Sequence, residues 1–119
     1  MDKSQIYLEN LDRIFSGDKA LILKACQSFI KHSKTYMEII HEAHKHKNGP
    51  EMQRIAHSFK ASFVMFGDED AQKAANDLEQ IGIADQWDNC DTKIRNFDDH
   101  LQCTIHYVQN ILNSSFTNA

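Results

Sequence analysis

The residues of this 119-residue sequence best suited to chemistry are a histidine and a lysine three positions apart, His57 and Lys60, in the stretch IAHSFKASFVMFG over residues 55–67. At about 100° per residue, a helical wheel places His57 opposite an apolar stripe. The stripe consists of Met52, Ile55, Ala56, Phe59, Phe63 and Phe66. The pattern predicts an exposed imidazole, with the ammonium group of Lys60 one turn away on the same face.

The rest of this outward face is partly basic and partly apolar, which is typical of a surface that binds a partner transiently. Gln53 and Arg54 precede the histidine. Ala61, one turn after it, is small enough to let another protein's backbone approach, and Val64 is an apolar residue further along the same face. We expect these four residues to contact a partner.

A carboxylate on the following segment is predicted to face His57. If the segments before and after Asp68 form an antiparallel hairpin, residues equidistant from position 68 lie opposite one another, and Glu79 is as far after Asp68 as His57 is before it. A carboxylate that accepts a hydrogen bond from Nδ1–H would leave the Nε2 lone pair free and would stabilise positive charge on the ring. Asn76 and Lys73 are the other residues of that segment that could line the site.

The elements that must position these residues are predicted to be long helices. Four glycines and one proline are few helix breakers for this length. The segments between them show a 3–4 spacing of apolar residues and no strand-like alternation. These segments are 4–16, 18–48, 51–66, 69–81 and 88–113. Short connections favour antiparallel neighbours, so the predicted fold is all-α: an antiparallel up-down four-helix bundle over 18–112, an additional short N-terminal helix within 1–17, and a disordered tail over 113–119.

Composition narrows the class of protein. The length allows one domain, and the net charge of −4 does not favour nucleic acid as a partner. No apolar stretch approaches the roughly 20 residues that span a bilayer. The three cysteines, Cys26, Cys90 and Cys103, have no CxxC spacing and are expected to be reduced and packed in the core. We expect a monomeric cytoplasmic protein that is free-standing rather than cut from a longer chain.

The stretch AHSFKASFVMFG resembles the signature of histidine-containing phosphotransfer (HPt) domains, in which the histidine is followed by lysine at +3, a small residue at +4 and glycine at +10. His57, Lys60 and Gly67 match these positions. Ala61 stands where the family typically has glycine and adds one methyl group to the docking surface. The resemblance extends over about residues 6–112, and it implies a helical bundle.

The resemblance implies that the protein carries a phosphoryl group on His57 between aspartates of receiver domains in a multistep His-Asp phosphorelay. The partners would be receiver domains of a hybrid sensor histidine kinase and of response regulators. Lys60 would stabilise the phosphoryl group, Glu79 would orient the ring, and Gly67 would belong to the partner-binding set. The protein would be a phosphoryl carrier rather than an enzyme, without a cofactor or metal of its own, because the Mg²⁺ used in transfer would be bound by the receiver.

Two alternatives remain open at this point. The first is a helical interaction module that docks receiver domains without transferring phosphate. The second is a metal-binding bundle built on His41, His44 and His46, in the sequence HEAHKH, which misses the HExxH zinc motif by one position. A solvated helix end accounts for the same histidines, since basic side chains suit the negative end of the helix dipole.

Overall fold

The computed structural model describes residues 2–115 and shows, over that range, five α-helices and no strand. These are α1 (Lys3–Ile14), α2 (Lys19–Lys45), α3 (Gly49–Phe66), α4 (Glu69–Ala84) and α5 (Cys90–Ser115). The all-helical class is as predicted from the sequence. The helix α3, which carries His57, packs against α1, α2 and α4, and α5 packs against α1, α2 and α4.

Polar caps set the helix boundaries. Asp18 caps the N-terminus of α2 by accepting a hydrogen bond from the Leu21 amide at 3.1 Å, and Asp68 does the same for α4 through the Ala71 amide at 3.1 Å. Gly67 ends α3 in the left-handed conformation, with φ 76°. The connection between α3 and α4 is therefore only two residues long, so the two helices must return alongside each other.

The structure differs from the sequence prediction around Gly49, which was expected to follow the end of α2. Asn48 caps α3 instead, and Gly49 is the buried first residue of that helix. Gly49 is buried by a close crossing with α4, because a Cβ on Gly49 would lie 2.6 Å from the carbonyl oxygen of Gly82, and a Cβ on Gly82 would lie 2.5 Å from that of Gly49. Two glycines thus allow the backbones of α3 and α4 to touch.

The core contains the whole apolar stripe predicted for α3, from Met52 to Phe66. One predicted core position was wrong, because Cys103 lies at the surface. In α1, the aliphatic residue Ile14 is about half exposed. The buried residues of α1 are Tyr7 and Leu11, and the ring of Tyr7 stacks on Phe66 with centroids 5.0 Å apart. The helix α1 thereby packs through an aromatic ring and a leucine, one turn apart.

The predicted disordered tail falls partly outside the described residues. Positions 113–115 form the last turn of α5, and 116–119 are not described. No helix within residues 2–115 is both long enough and apolar enough to span a bilayer.

Candidate functional site

His57 projects from the middle of α3 with 67% of its side chain exposed, as the helical wheel predicts. Its Nδ1 lies 2.7 Å from Oε2 of Glu79 on α4. A carboxylate accepts hydrogen bonds, so this contact places the proton on Nδ1 and leaves the Nε2 lone pair directed away from α4. The imidazole is therefore held at one nitrogen and available at the other.

Glu79 is the buried member of the site, with only 9% of its side chain exposed. Its second oxygen, Oε1, accepts a hydrogen bond from Nζ of Lys60 at 2.7 Å. The hydrogen bond from Lys60, together with that from His57, holds the pKa of the Glu79 carboxyl below its ordinary value of 4.5, against the opposite effect of burial. The carboxylate is consequently ionised at neutral pH and shared between an imidazole and an ammonium group.

Lys60 also donates a hydrogen bond to Oδ1 of Asn76 at 3.2 Å. Its ammonium group therefore donates hydrogen bonds to two residues of α4, Asn76 and Glu79, and 31% of the side chain is exposed. Lys73, the other residue of this helix that the sequence suggested, is exposed. The sequence located Glu79 through the symmetry of the hairpin, and this contact is present, but the sequence did not predict that Lys60 would bind the same carboxylate.

The remaining residues of the outward face lie where the helical pattern places them. Gln53, Arg54 and Ala61 are exposed, and Val64 is 56% exposed. The guanidinium of Arg54 pairs with Glu51, one turn earlier in α3, so its charge is engaged on the N-terminal side of His57. These four residues form one surface with His57, and their binding of a partner remains a prediction.

Gly67 is the one predicted site residue that the fold places away from His57. It is ten residues further along α3, about 15 Å at the helical rise. A Cβ at Gly67 would lie 2.2 Å from the side-chain amide of Asn10 in α1, and its φ of 76° suits glycine. Its surroundings therefore account for glycine at this position through packing and helix termination.

The histidines of HEAHKH do not converge. Nδ1 of His44 lies 3.5 Å from Asp91 and its ring stacks on Trp87, whereas His46 pairs with Glu42 at 3.2 Å. Over residues 2–115, no group of three or more histidine, cysteine, aspartate or glutamate side chains is arranged to hold a metal ion. The arrangement gives the metal-binding alternative no support.

A second polar cluster, which sequence reasoning missed, lies at the turn between α3 and α4. The buried hydroxyl of Tyr7 donates a hydrogen bond to Asp68 and lies 3.0 Å from Oγ1 of Thr104. Lys3 approaches the same carboxylate at 3.5 Å. Burial and the neighbouring carboxylate of Asp68 raise the pKa of Tyr7 well above its ordinary value. This cluster ties α1 and α5 to the start of α4.

Comparison with known proteins gives one match. The family model described as "Hpt domain" matches residues 24–112, well over half of the chain and including His57 and every residue that surrounds it. No curated protein and no solved structure matches significantly.

Proposed function

Since the chain belongs to the Hpt domain family, whose members carry phosphoryl groups in two-component phosphorelays, we propose that it accepts a phosphoryl group on Nε2 of His57 and passes it between aspartates of receiver domains. The observation that carries this proposal is the pairing of Nδ1 with Glu79 on an otherwise exposed ring. That pairing leaves Nε2 as the free nucleophile.

The chemistry follows from the positions of the protons. Neutral His57 attacks the acyl phosphate of a receiver in line, so that a P–N bond forms at Nε2 while the P–O bond to the aspartate breaks and releases a carboxylate. Nδ1 keeps its proton throughout, so the ring gains positive charge as phosphorus bonds to Nε2. Glu79 stabilises that charge from 2.7 Å. Transfer to the next receiver is the same step in reverse.

Lys60 supplies the second electrostatic contribution. Its position one turn after His57 puts its ammonium group within reach of a phosphoryl group on the ring. At 4 Å and an effective dielectric constant near 20, such a pair is worth about 4 kcal/mol before solvent losses. We propose that Lys60 leaves Oε1 of Glu79 as the phosphoryl group arrives and then offsets part of its charge. Arg54, which is engaged with Glu51, contributes less.

The proposal also covers the arrangement of the helices and the partner proteins. We propose that α2–α5 form an antiparallel up-down four-helix bundle, with α1 as the additional helix. The partners are receiver domains of a hybrid sensor histidine kinase and of response regulators, and the Mg²⁺ needed for transfer is bound by the receiver. A monomeric state and a cytoplasmic location remain predictions of the sequence.

The experiment that tests the function is phosphorylation with two donors. Phosphoramidate, a small-molecule phosphoryl donor, should label the protein directly, and a phosphorylated receiver domain should label it by transfer. The label should be acid-labile and alkali-stable, and phosphorus NMR should assign it to Nε2. His57→Gln should take no label, whereas His41→Gln, which removes another exposed histidine, should label like the wild type.

The outcome also separates phosphotransfer from docking alone. A wild type that binds receivers but takes no label from either donor would establish the interaction module and refute the relay. Equal labelling of His57→Gln would place the acceptor elsewhere.

A further inference from the structure

Four large hydrophobic residues are exposed among the side chains that the structure describes. They are Ile14, Leu21, Val64 and Ile83. A single exposed apolar residue is ordinary on a soluble protein, so exposure alone carries no meaning. Two of the four are distinguished by their position. Val64 and Ile83, which are the most exposed, lie on either side of His57.

Ile83 was not predicted as a surface residue of a helix, because the sequence placed the end of that helix at 81. The structure continues α4 to Ala84, which puts Ile83 one turn after Glu79 on the same side of the helix. Since Glu79 contacts His57, Ile83 lies about 6 Å further along the hairpin, on the side of Gln53. Val64 lies about 10 Å from His57 in the opposite direction.

An open depression of about 600 Å³ is lined by Ile83 and Pro50, by the glycines of the crossing, and by four polar or charged residues: Lys47, Asn48, Gln53 and Asp85. It lies beside the point where the backbones of α3 and α4 meet at Gly49 and Gly82. Interface hot spots commonly lie in pockets, surrounded by contacts that exclude water.

The size of a protein interface decides which exposed residues a partner must cover. In-line transfer requires a receiver to lie over His57, and an interface of about 800 Å² per partner has a radius of about 16 Å. Ile83 and Val64 fall inside this area. Leu21 falls outside it, because the contacts of Phe29 with Phe66 and of Tyr36 with Phe59 place it roughly 20 Å or more from His57 along α2.

We propose that Ile83 and the adjoining depression form a docking surface for the receiver domain that exchanges its phosphoryl group with His57, and that an apolar side chain of the receiver packs on Ile83 at the edge of the depression. The inference rests on the proposed function and adds α4 to the surface that the sequence assigned to α3 alone. Together with Val64, Ile83 gives the receiver apolar contacts at both ends of the reactive histidine.

The test uses the full chain and isolated receiver domains of the source organism, from which the receiver with the fastest transfer is chosen for binding. Ile83→Gln removes the apolar surface at constant charge and should raise the Kd for that receiver about tenfold. Ile83→Leu should bind like the wild type. Leu21→Gln makes the same kind of change outside the expected interface, on a residue that is 47% exposed, and should leave the Kd unchanged.

Labelling by phosphoramidate separates docking from chemistry, because this donor needs no protein interface. Ile83→Gln should label at the wild-type rate with phosphoramidate and more slowly with subsaturating phosphorylated receiver. An unchanged Kd for Ile83→Gln, or equal weakening by Leu21→Gln, would overturn the docking proposal while leaving phosphotransfer intact. Failure of the wild type to exchange phosphoryl groups with any receiver would refute both proposals.

Discussion

Replacing Glu79 with glutamine tests whether the carboxylate acts on His57 through its charge. Glutamine has nearly the same shape and keeps an oxygen that can accept a hydrogen bond from Nδ1–H. It removes the negative charge that lies 2.7 Å from a ring nitrogen. In the phosphorylated state the ring is positively charged, so the substitution should destabilise that state more than the unphosphorylated one.

The magnitude follows from the distance and the exposure. Two unit charges 2.7 Å apart interact with about 1.5 kcal/mol in water and about 6 kcal/mol at an effective dielectric constant of 20. Because 67% of the His57 side chain is exposed, the lower value applies. A loss of about 1.4 kcal/mol is a tenfold change in an equilibrium constant. Glu79→Gln should therefore shift the transfer equilibrium about tenfold towards the phosphorylated receiver.

The assay measures the fraction of phosphorylated protein at equilibrium with a phosphorylated receiver, together with both transfer rates. Glu42→Gln is the matched control, since Glu42 pairs with His46 at 3.2 Å on the surface of α2 and should have no effect. Nitrogen NMR of the imidazole reports whether Nδ1 keeps its proton. An equilibrium identical to that of the wild type, with a folded protein, would refute the electrostatic role of Glu79.

Three further predictions concern the site and its scaffold. Lys60→Met should slow transfer roughly tenfold without unfolding the protein, as measured by transfer rates and circular dichroism, because the phosphoryl group loses its cationic partner; an unchanged rate would remove Lys60 from the mechanism. Gly82→Ala should lower the free energy of unfolding in urea by about 1–3 kcal/mol, although alanine favours helices, because its Cβ would lie 2.5 Å from the carbonyl oxygen of Gly49; a more stable variant would contradict the close crossing. Although burial of Asp68 opposes it, the hydrogen bond from Tyr7 and that from the α4 N-terminus hold the pKa of Asp68 below its ordinary value of 3.8. The ionised Asp68 should therefore contribute fully to the free energy of unfolding above pH 3.8, and this contribution should fall as the pH drops through the lower folded pKa. Urea unfolding at several pH values measures this dependence, which Asp68→Asn should lack.

The helix α3 and its partner contact were predictable from the sequence because both depend on local rules. The stripe from Met52 to Phe66 fixes which face is buried, and that places His57 outside. Gly67 ends α3 and Asp68, the next residue, caps α4, so the hairpin has a single register. That register brings Glu79 to His57.

The features that could not be predicted depend on contacts between distant segments. Gly49 has the sequence context of a helix end, and nothing local to it indicates that it is buried against Gly82 at the start of α3. Tyr7 and Thr104 are nearly a full chain apart, and nothing local to either indicates that they meet at a buried carboxylate. The helical period therefore cannot reveal the tertiary hydrogen bonds that accompany the burial of Tyr7.

In the proposed transfer cycle, the shared carboxylate would keep a cationic partner at every stage. An ionised side chain that is only 9% exposed is costly unless it is paired. Before transfer, Lys60 supplies the positive partner of Glu79 at 2.7 Å. After the proposed transfer, the phosphorylated ring of His57 would carry positive charge at the other oxygen, so that Lys60 could turn to the phosphoryl group without leaving Glu79 unpaired. Under this proposal, phosphorylation exchanges one cation for another at the same carboxylate, which favours a reversible transfer.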